Sequence, residues 1–400
     1  MTSDLSGNIL KLTIIKLSKW LMLTVPIVFL FYKENGLATQ DLFFLKAAYS
    51  FAIVVLEIPS GYFGDVWGRK ASLILGSILG FIGFSLYAVS SGFWSFFACE
   101  LILGVGQSFI SGSDSALLYD TLKEMNKGDA YLKEEGRLIS LGNFAEAIAA
   151  PIGVALAAFS LRTPYVFQAL IAFSAVPAAL FLVEPPRHRM DVKKSGEQLK
   201  KIIVYALKEN RQLRWSILFS SAMGTATLTM AWMIQPFFHH LAVPLALYGI
   251  FIPALNLTTG FVSMHAWRVE KLIGHQPTTF FIAAAIGLLY LALATGQTLW
   301  AVGLLFLFYM ARGVATPVLR NHINAATPSS IRATVLSLRS LIIRLTFVGL
   351  GPFLGWFADV ASIPAAFAAG GLLFTATGLF SAFSFTRQEK KEQPDFTLPS

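Results

Sequence analysis

Apolar residues in this chain come in long runs, not in the spaced pattern of a soluble amphipathic helix or the alternation of a half-buried strand. A hydrocarbon core is crossed by roughly 20 apolar residues in a helix. Twelve runs meet or approach that length: 14–32, 42–64, 71–90, 94–119, 138–159, 164–183, 214–238, 244–266, 278–296, 299–325, 333–358 and 363–385. Residues 1–12 read as a short polar tail, and no small-residue cleavage site follows the first run, so that run is expected to be retained as a helix. Lys16 and Lys19 near its start are expected to snorkel toward the interface.

The polar residues between the runs are sorted by sign. One set of loops carries Arg69 and Lys70, then Lys123, Lys127, Lys133 and Arg137, then Arg268, Lys271 and Arg332. The longest connection adds Arg187, Arg189, Lys193, Lys194, Lys200, Lys201, Lys208 and Arg211, and the tail adds Arg387, Lys390 and Lys391. The alternate loops hold little beyond Lys33, Lys46 and Arg162. Positive charge collects on the cytoplasmic side, so both termini are expected there. Composition agrees: 55% of the 400 residues are hydrophobic and 13% are charged, where soluble domains carry about 25%. The net charge of +9 is therefore read as membrane orientation and not as a nucleic-acid surface. The one cysteine, Cys99, lies in an apolar run and excludes an internal disulfide framework.

The fold expected is an all-α membrane protein of twelve transmembrane helices in two pseudo-symmetric six-helix bundles. Residues 1–183 form the first bundle, 184–213 a cytoplasmic linker, 214–386 the second bundle and 387–400 a cytoplasmic tail. Within the linker, Leu199, Ile202, Ile203 and Ala206 are spaced as one face of an amphipathic helix on the membrane surface; a solvated charged linker is the alternative. The halves look like repeats. Gly104-Val105-Gly106 resembles Gly313-Val314-Ala315, and Ala150-Pro151-Ile152-Gly153 resembles Gly351-Pro352-Phe353-Leu354-Gly355. Two six-helix halves with a site between them make a transporter plan.

The stretch Gly61-Tyr62-Phe63-Gly64-Asp65-Val66-Trp67-Gly68-Arg69-Lys70 packs three glycines, one acid and two bases into a tight turn between the second and third runs. An acid at a membrane boundary needs a basic partner or the N-terminal end of a helix. The stretch resembles the loop between helices 2 and 3 of the major facilitator superfamily, G-x-x-x-D-x-x-G-R-K, and with the twelve runs the resemblance spans the whole chain. It implies the twelve-helix fold of that family. It also implies gating by Gly61, Asp65, Gly68 and Arg69, with Asp65 facing the start of helix 11 and Arg69 facing Asp120. A second copy near 260–271 has Gly260, Arg268 and Lys271 but no acid four residues after Gly260. Glu100 stands where one pattern of the family places an arginine ahead of G-x-G, and the antiporter signature is only partial at Ala150-Pro151-Ile152-Gly153.

Charges inside the runs point to function, because each costs roughly 2.5–3.5 kcal/mol at the bilayer centre. Glu57, Glu100, Asp114 and Glu146 in the first half are candidate proton carriers; Glu57 and Glu146 serve equally well as ties between neighbouring helices. Glu100, Gln107 and Asp114 are seven apart, so on one helix they form a single stripe drifting about 20° per step. The second half offers bases instead. Arg312 and Arg344 lie nearest mid-membrane as substrate ligands, Arg320 lies toward the inner end for gating, and Arg339 sits about 140° around the helix from Arg344. Gln107, Gln235, Trp232, Asn256 and Tyr32 complete the substrate candidates. His239 and His240 read as interfacial. No metal or catalytic spacing joins His265, His275 and His322, which argues against a membrane-embedded transferase, and no ATP-binding loop is found.

The function expected is secondary active transport of a small organic solute across the cell membrane, proton-coupled, with export ahead of import of an anionic or zwitterionic solute. No cofactor, metal or nucleic acid is expected. The partners are the solute, a proton or other coupling ion and the lipid bilayer, and the chain is read as a multi-pass monomer.

Overall fold

The computed structural model describes residues 2–186, 192–296, 298–328 and 331–389. Arg187, Arg189, Lys390 and Lys391 of the basic series lie outside them. Among the described residues the chain is helical, with no strand. Within those residues, twelve helical spans are long and apolar enough to cross a membrane.

Two compact units divide the chain. The first is Met1–Asp191 with Pro244–Pro253, and the second is Val192–Val243 with Ala254–Ser400. The first unit holds α1 (Thr2–Trp20), α2 (Val28–Glu34), α3 (Thr39–Trp67), α4 (Arg69–Val89), α5 (Phe93–Ile110), α6 (Ser113–Glu124), α7 (Tyr131–Ala157) and α8 (Thr163–Leu180). The second holds α9 (Val192–Val204), α10 (Arg211–His240), α12 (His275–Ala294), α13 (Val302–Ala325), α14 (Arg332–Val360) and α15 (Ile363–Glu389), together with α11 (Leu245–Ile273) from residue 254 on.

The repeat read from the glycines has a packing counterpart in each unit. A Cβ added at Gly104 would lie 2.7 Å from the Tyr49 carbonyl of α3, and one added at Gly313 would lie 2.9 Å from the Thr259 carbonyl of α11. Both glycines therefore let one helix touch the backbone of another, as membrane interfaces built on small residues do. The heaviest helix pairings also correspond: α4 packs on α8 in the first unit and α12 on α15 in the second. These are the third and sixth spans of each set of six.

Three local expectations change. The first span starts at Leu5 and α1 at Thr2, so residues 2–12 are not a polar tail. Asn8 is fully buried. Its amide donates to Thr121 Oγ1 (3.1 Å) and the Val183 carbonyl (2.8 Å), and its carbonyl accepts from the Val183 N–H (2.9 Å). Asn8→Ala orphans groups on two other segments and is expected to destabilise the protein by about 2 kcal/mol, measured as unfolding in mixed detergent micelles. Secondly, the same span is interrupted after Trp20, with Pro26 in a short 3-10 turn, and Gln168 Oε1 caps the freed Leu23 N–H at 2.8 Å. Thirdly, the linker face turns to protein. Ile202 and Ile203 pack on a buried cluster that includes Ile217, Ile323, Ile331 and Val335. That gives α9 an apolar partner within its own unit.

Candidate functional site

The glycine-rich stretch is almost entirely helix. α3 runs through Trp67, α4 starts at Arg69, and Gly68 alone makes the turn at φ 118° and ψ 141°, a backbone region open to glycine. Gly64 is buried, and a Cβ there would sit 3.3 Å from Ser113 Oγ, whereas Gly61 opens to free space. Asp65 is exposed. The carboxylate of Glu184 accepts from the Arg69 N–H (3.0 Å) and the Lys70 N–H (2.6 Å), so it caps the first turn of α4. The Arg69 guanidinium pairs with Asp120 and donates to the Ala116 carbonyl at 2.8 Å. The turn is thereby tied to the middle of α6 and to the segment that follows the sixth span. Glu184 is not among the residues the sequence marks as functional. Its only signal is its place ahead of Pro185-Pro186, which stops a helix and leaves an acid beside its end.

Glu100 does not line an open face. It is 2% exposed and pairs with Lys46. Tyr32 Oη and Tyr87 Oη donate to it at 3.0 and 2.7 Å and lie 2.6 Å from each other. Phe31, Phe96 and Tyr165 close an aromatic wall around this knot. Tyr32, expected to touch substrate, is instead a buried ligand of Glu100, and Lys46, expected at a loop end, is its counter-ion.

The stripe Glu100–Gln107–Asp114 is broken for a backbone reason. α5 ends at Ile110 and α6 restarts at Ser113, with Gly112 at φ 82° between them. The seven-residue register therefore does not carry across. Gln107 is half-buried on α5, while Asp114 is buried in the first turn of α6. Lys16 Nζ lies 3.2 Å from Asp114 and 3.4 Å from Glu135. Ser115 donates to Glu135 at 2.8 Å. Lys16 is thus a buried counter-ion and does not snorkel; two carboxylates inside the unit hold its ammonium. Glu57 on α3 and Glu146 on α7 belong to the same unit.

In the second unit Arg312 is half-buried on α13, its guanidinium 5.2 Å from the ring centre of Tyr309. Arg320 is exposed further along the same helix, past Pro317. Arg344 is half-buried on α14, and Arg339 donates to Ser220 of α10. That bond takes Arg339 into a helix interface, away from Arg344. Gln235 is buried, Trp232 half-buried and Asn256 exposed. The histidines depart from expectation. His275 and His322 both meet Glu270, which joins residues that sequence spacing kept apart.

The sequence profile of the Major Facilitator Superfamily matches residues 17–343. Multidrug resistance protein 2 of Bacillus subtilis (strain 168) is 26% identical over 164 residues, 40% of each chain. Quinolone resistance protein NorA of Staphylococcus aureus (strain MRSA252) is 22% identical over 206 residues, 52% of this chain and 50% of its own. The chain thus spans half or less of these curated relatives. The crystal structure of the nucleoside transporter NupG superposes with a TM-score of 0.73 at 16% identity, covering 98% of this chain and all of that one (100%). At that identity the likeness concerns the fold.

Proposed function

The chain belongs to the Major Facilitator Superfamily, and from that premise we propose that it is a plasma-membrane secondary transporter, not an enzyme, that exports a small organic solute by proton-coupled alternating access. The observation that carries the reading is the glycine turn at Gly68, with Arg69 paired to Asp120 and Glu184 capping α4, inside a chain of twelve membrane spans. A turn held by charged groups that must part if α3, α4 and α6 shift is a switchable contact. Such contacts move populations between states by a few kcal/mol. In this reading Gly61, Asp65, Gly68, Arg69, Asp120 and Arg320 act in gating, the basic loops and both termini face the cytoplasm, and the protein works as a monomer.

Export is favoured because the two curated relatives are named for resistance to multiple drugs and to quinolones. Removing a drug from the cell confers resistance. The coupling proton is assigned to one of the membrane acids Glu57, Glu100, Asp114 and Glu146. Glu100 is paired with Lys46, so its protonation would weaken that buried pair, whereas protonating Asp114 would leave Lys16 its second carboxylate, Glu135. The test is flux in proteoliposomes with a fluorescent quinolone as probe. Accumulation that follows an imposed pH gradient and collapses with an uncoupler supports the reading; accumulation indifferent to the gradient rejects the coupling.

A second reading, uptake of an anionic or zwitterionic solute, is favoured by Arg312, a half-buried guanidinium on a membrane span. Substrate contacts are assigned to Arg312, Arg344, Gln107, Gln235, Trp232 and Asn256, each on a membrane span. A hydrogen bond to a charged group contributes about 1.5–3 kcal/mol, so Arg312→Ala is expected to weaken an anionic ligand by roughly 10- to 100-fold and a cationic one hardly at all. Equilibrium binding of the two ligand classes to the purified variant checks this.

A further inference from the structure

We propose that Glu270, His275 and His322 form a binding site for one divalent transition-metal cation of the zinc class. The three residues come from three helices of the second unit. Glu270 is in the last turn of α11, His275 opens α12 directly after Gly274, and His322 is in the last turn of α13. His275 Nδ1 lies 2.6 Å from Glu270 Oε1, and His322 Nε2 lies 3.3 Å from the same oxygen. One potential ligand atom from each residue falls within 4.8 Å of the others.

Zinc bonds of about 2.0–2.2 Å in a tetrahedral site set ligand atoms roughly 3.4 Å apart. Two contacts are already at or inside that spacing, and small side-chain rotations close the set. The chemistry also fits. One carboxylate and two imidazoles are a common donor set for zinc, and the carboxylate offsets half of the cation's charge. A fourth position is left for water.

The burial separates this cluster from a surface pair of histidines. His322 is 5% exposed, and its Nδ1 has no hydrogen-bond partner among the described residues. Buried polar atoms in folded proteins are nearly always satisfied. Here one nitrogen is spent on the shared carboxylate, and Phe385, stacked at 5.3 Å and 15°, fixes the plane of the ring. The rings of His275 and His322 are 4.0 Å apart, so both already face the common oxygen. Metal ligands usually have an outer partner on the second ring nitrogen, and its absence at His322 costs roughly 10- to 100-fold in affinity. The site is accordingly expected to bind weakly and exchangeably, suited to sensing or inhibition. Occupancy would bind the ends of α11 and α13 to the start of α12.

The test uses the purified full chain without an affinity tag, stripped of metal with a chelator. Titration calorimetry with zinc chloride is expected to show one equivalent bound. Cobalt chloride is expected to give the intense visible absorption of a tetrahedral site with nitrogen and oxygen ligands. Glu270→Gln, His275→Gln and His322→Gln should each weaken zinc at least about tenfold, while His240→Gln, at an exposed position, should not. No zinc binding and no cobalt spectrum in the unmodified protein would overturn the proposal. So would binding that survives all three substitutions or that disappears with His240→Gln. His275 is less buried than His322, so its variant keeps the comparison open if His322→Gln fails to fold. Because metal binding is read directly, the outcome does not depend on whether the chain transports anything.

Discussion

Lys46→Met is expected to destabilise the folded protein by about 3–5 kcal/mol, the usual cost of removing one partner from a buried ion pair. Glu100 would keep the Tyr32 and Tyr87 hydroxyls but lose its counter-charge at 2% exposure. Glu100→Leu should cost a similar amount from the other side, because it takes the paired carboxylate away from the buried Lys46 ammonium. The double variant Lys46→Met with Glu100→Leu should recover much of the loss, since an apolar pair of similar volume avoids the desolvation that the ion pair carries. Unfolding in mixed detergent micelles gives the coupling energy of this cycle. Equal and additive losses would mean that the two charges do not interact. The knot also explains why a carboxylate is tolerated so deep: it accepts from three protein donors, Lys46, Tyr32 and Tyr87.

Gly68→Ala is the second large effect, expected at about 3 kcal/mol. A non-glycine residue at φ 118° and ψ 141° carries backbone strain of order 1–3 kcal/mol. The new Cβ would meet the Glu184 carboxylate only at ordinary contact distance, 3.4 Å, but a turn that shifts to relieve the strain would draw the first N–H groups of α4 away from that carboxylate. Losing a helix cap costs about 1 kcal/mol more. Glu184→Gln, which keeps the shape and removes the charge, should lose only the cap and the dipole interaction. A melting series of wild type, Glu184→Gln and Gly68→Ala should therefore descend in that order. If Glu184→Gln proved the more damaging of the two, strain at Gly68 would not dominate the loss.

The membrane architecture is legible in the sequence because hydropathy is a one-dimensional signal and no long-range contact is needed to read it. The Gly61–Lys70 stretch and the Gly104/Gly313 correspondence are legible too, since glycine at a close approach is a local requirement. Pairings across the chain are not. Asn8 reaches Val183, Lys16 reaches Asp114, and Glu184 caps the helix that starts at Arg69; periodicity says nothing about such partners. Polar residues at the start of α1 resemble a tail because their partners lie more than a hundred residues away. The stripe on the fourth span assumes one unbroken helix, and Gly112 resets the register. Glu100 resembles a cavity acid because spacing gives a face without saying whether it turns inward to the bundle. His275 and His322 share no spacing, and the acid that unites them, Glu270, carries no signal of its own in the sequence.

In the transport cycle proposed for this chain, the Gly68 turn is a moving contact and not a binding site. Initial rates of solute flux in proteoliposomes, measured beside solute affinity, test this most directly. The variants are Arg69→Gln, Asp120→Asn and the charge exchange Arg69→Asp with Asp120→Arg. Each single change is expected to slow flux by about tenfold or more while affinity stays within about twofold, and the exchange is expected to regain part of the rate. Affinity falling in step with flux, or flux left at the wild-type rate, would contradict a gating role for the turn.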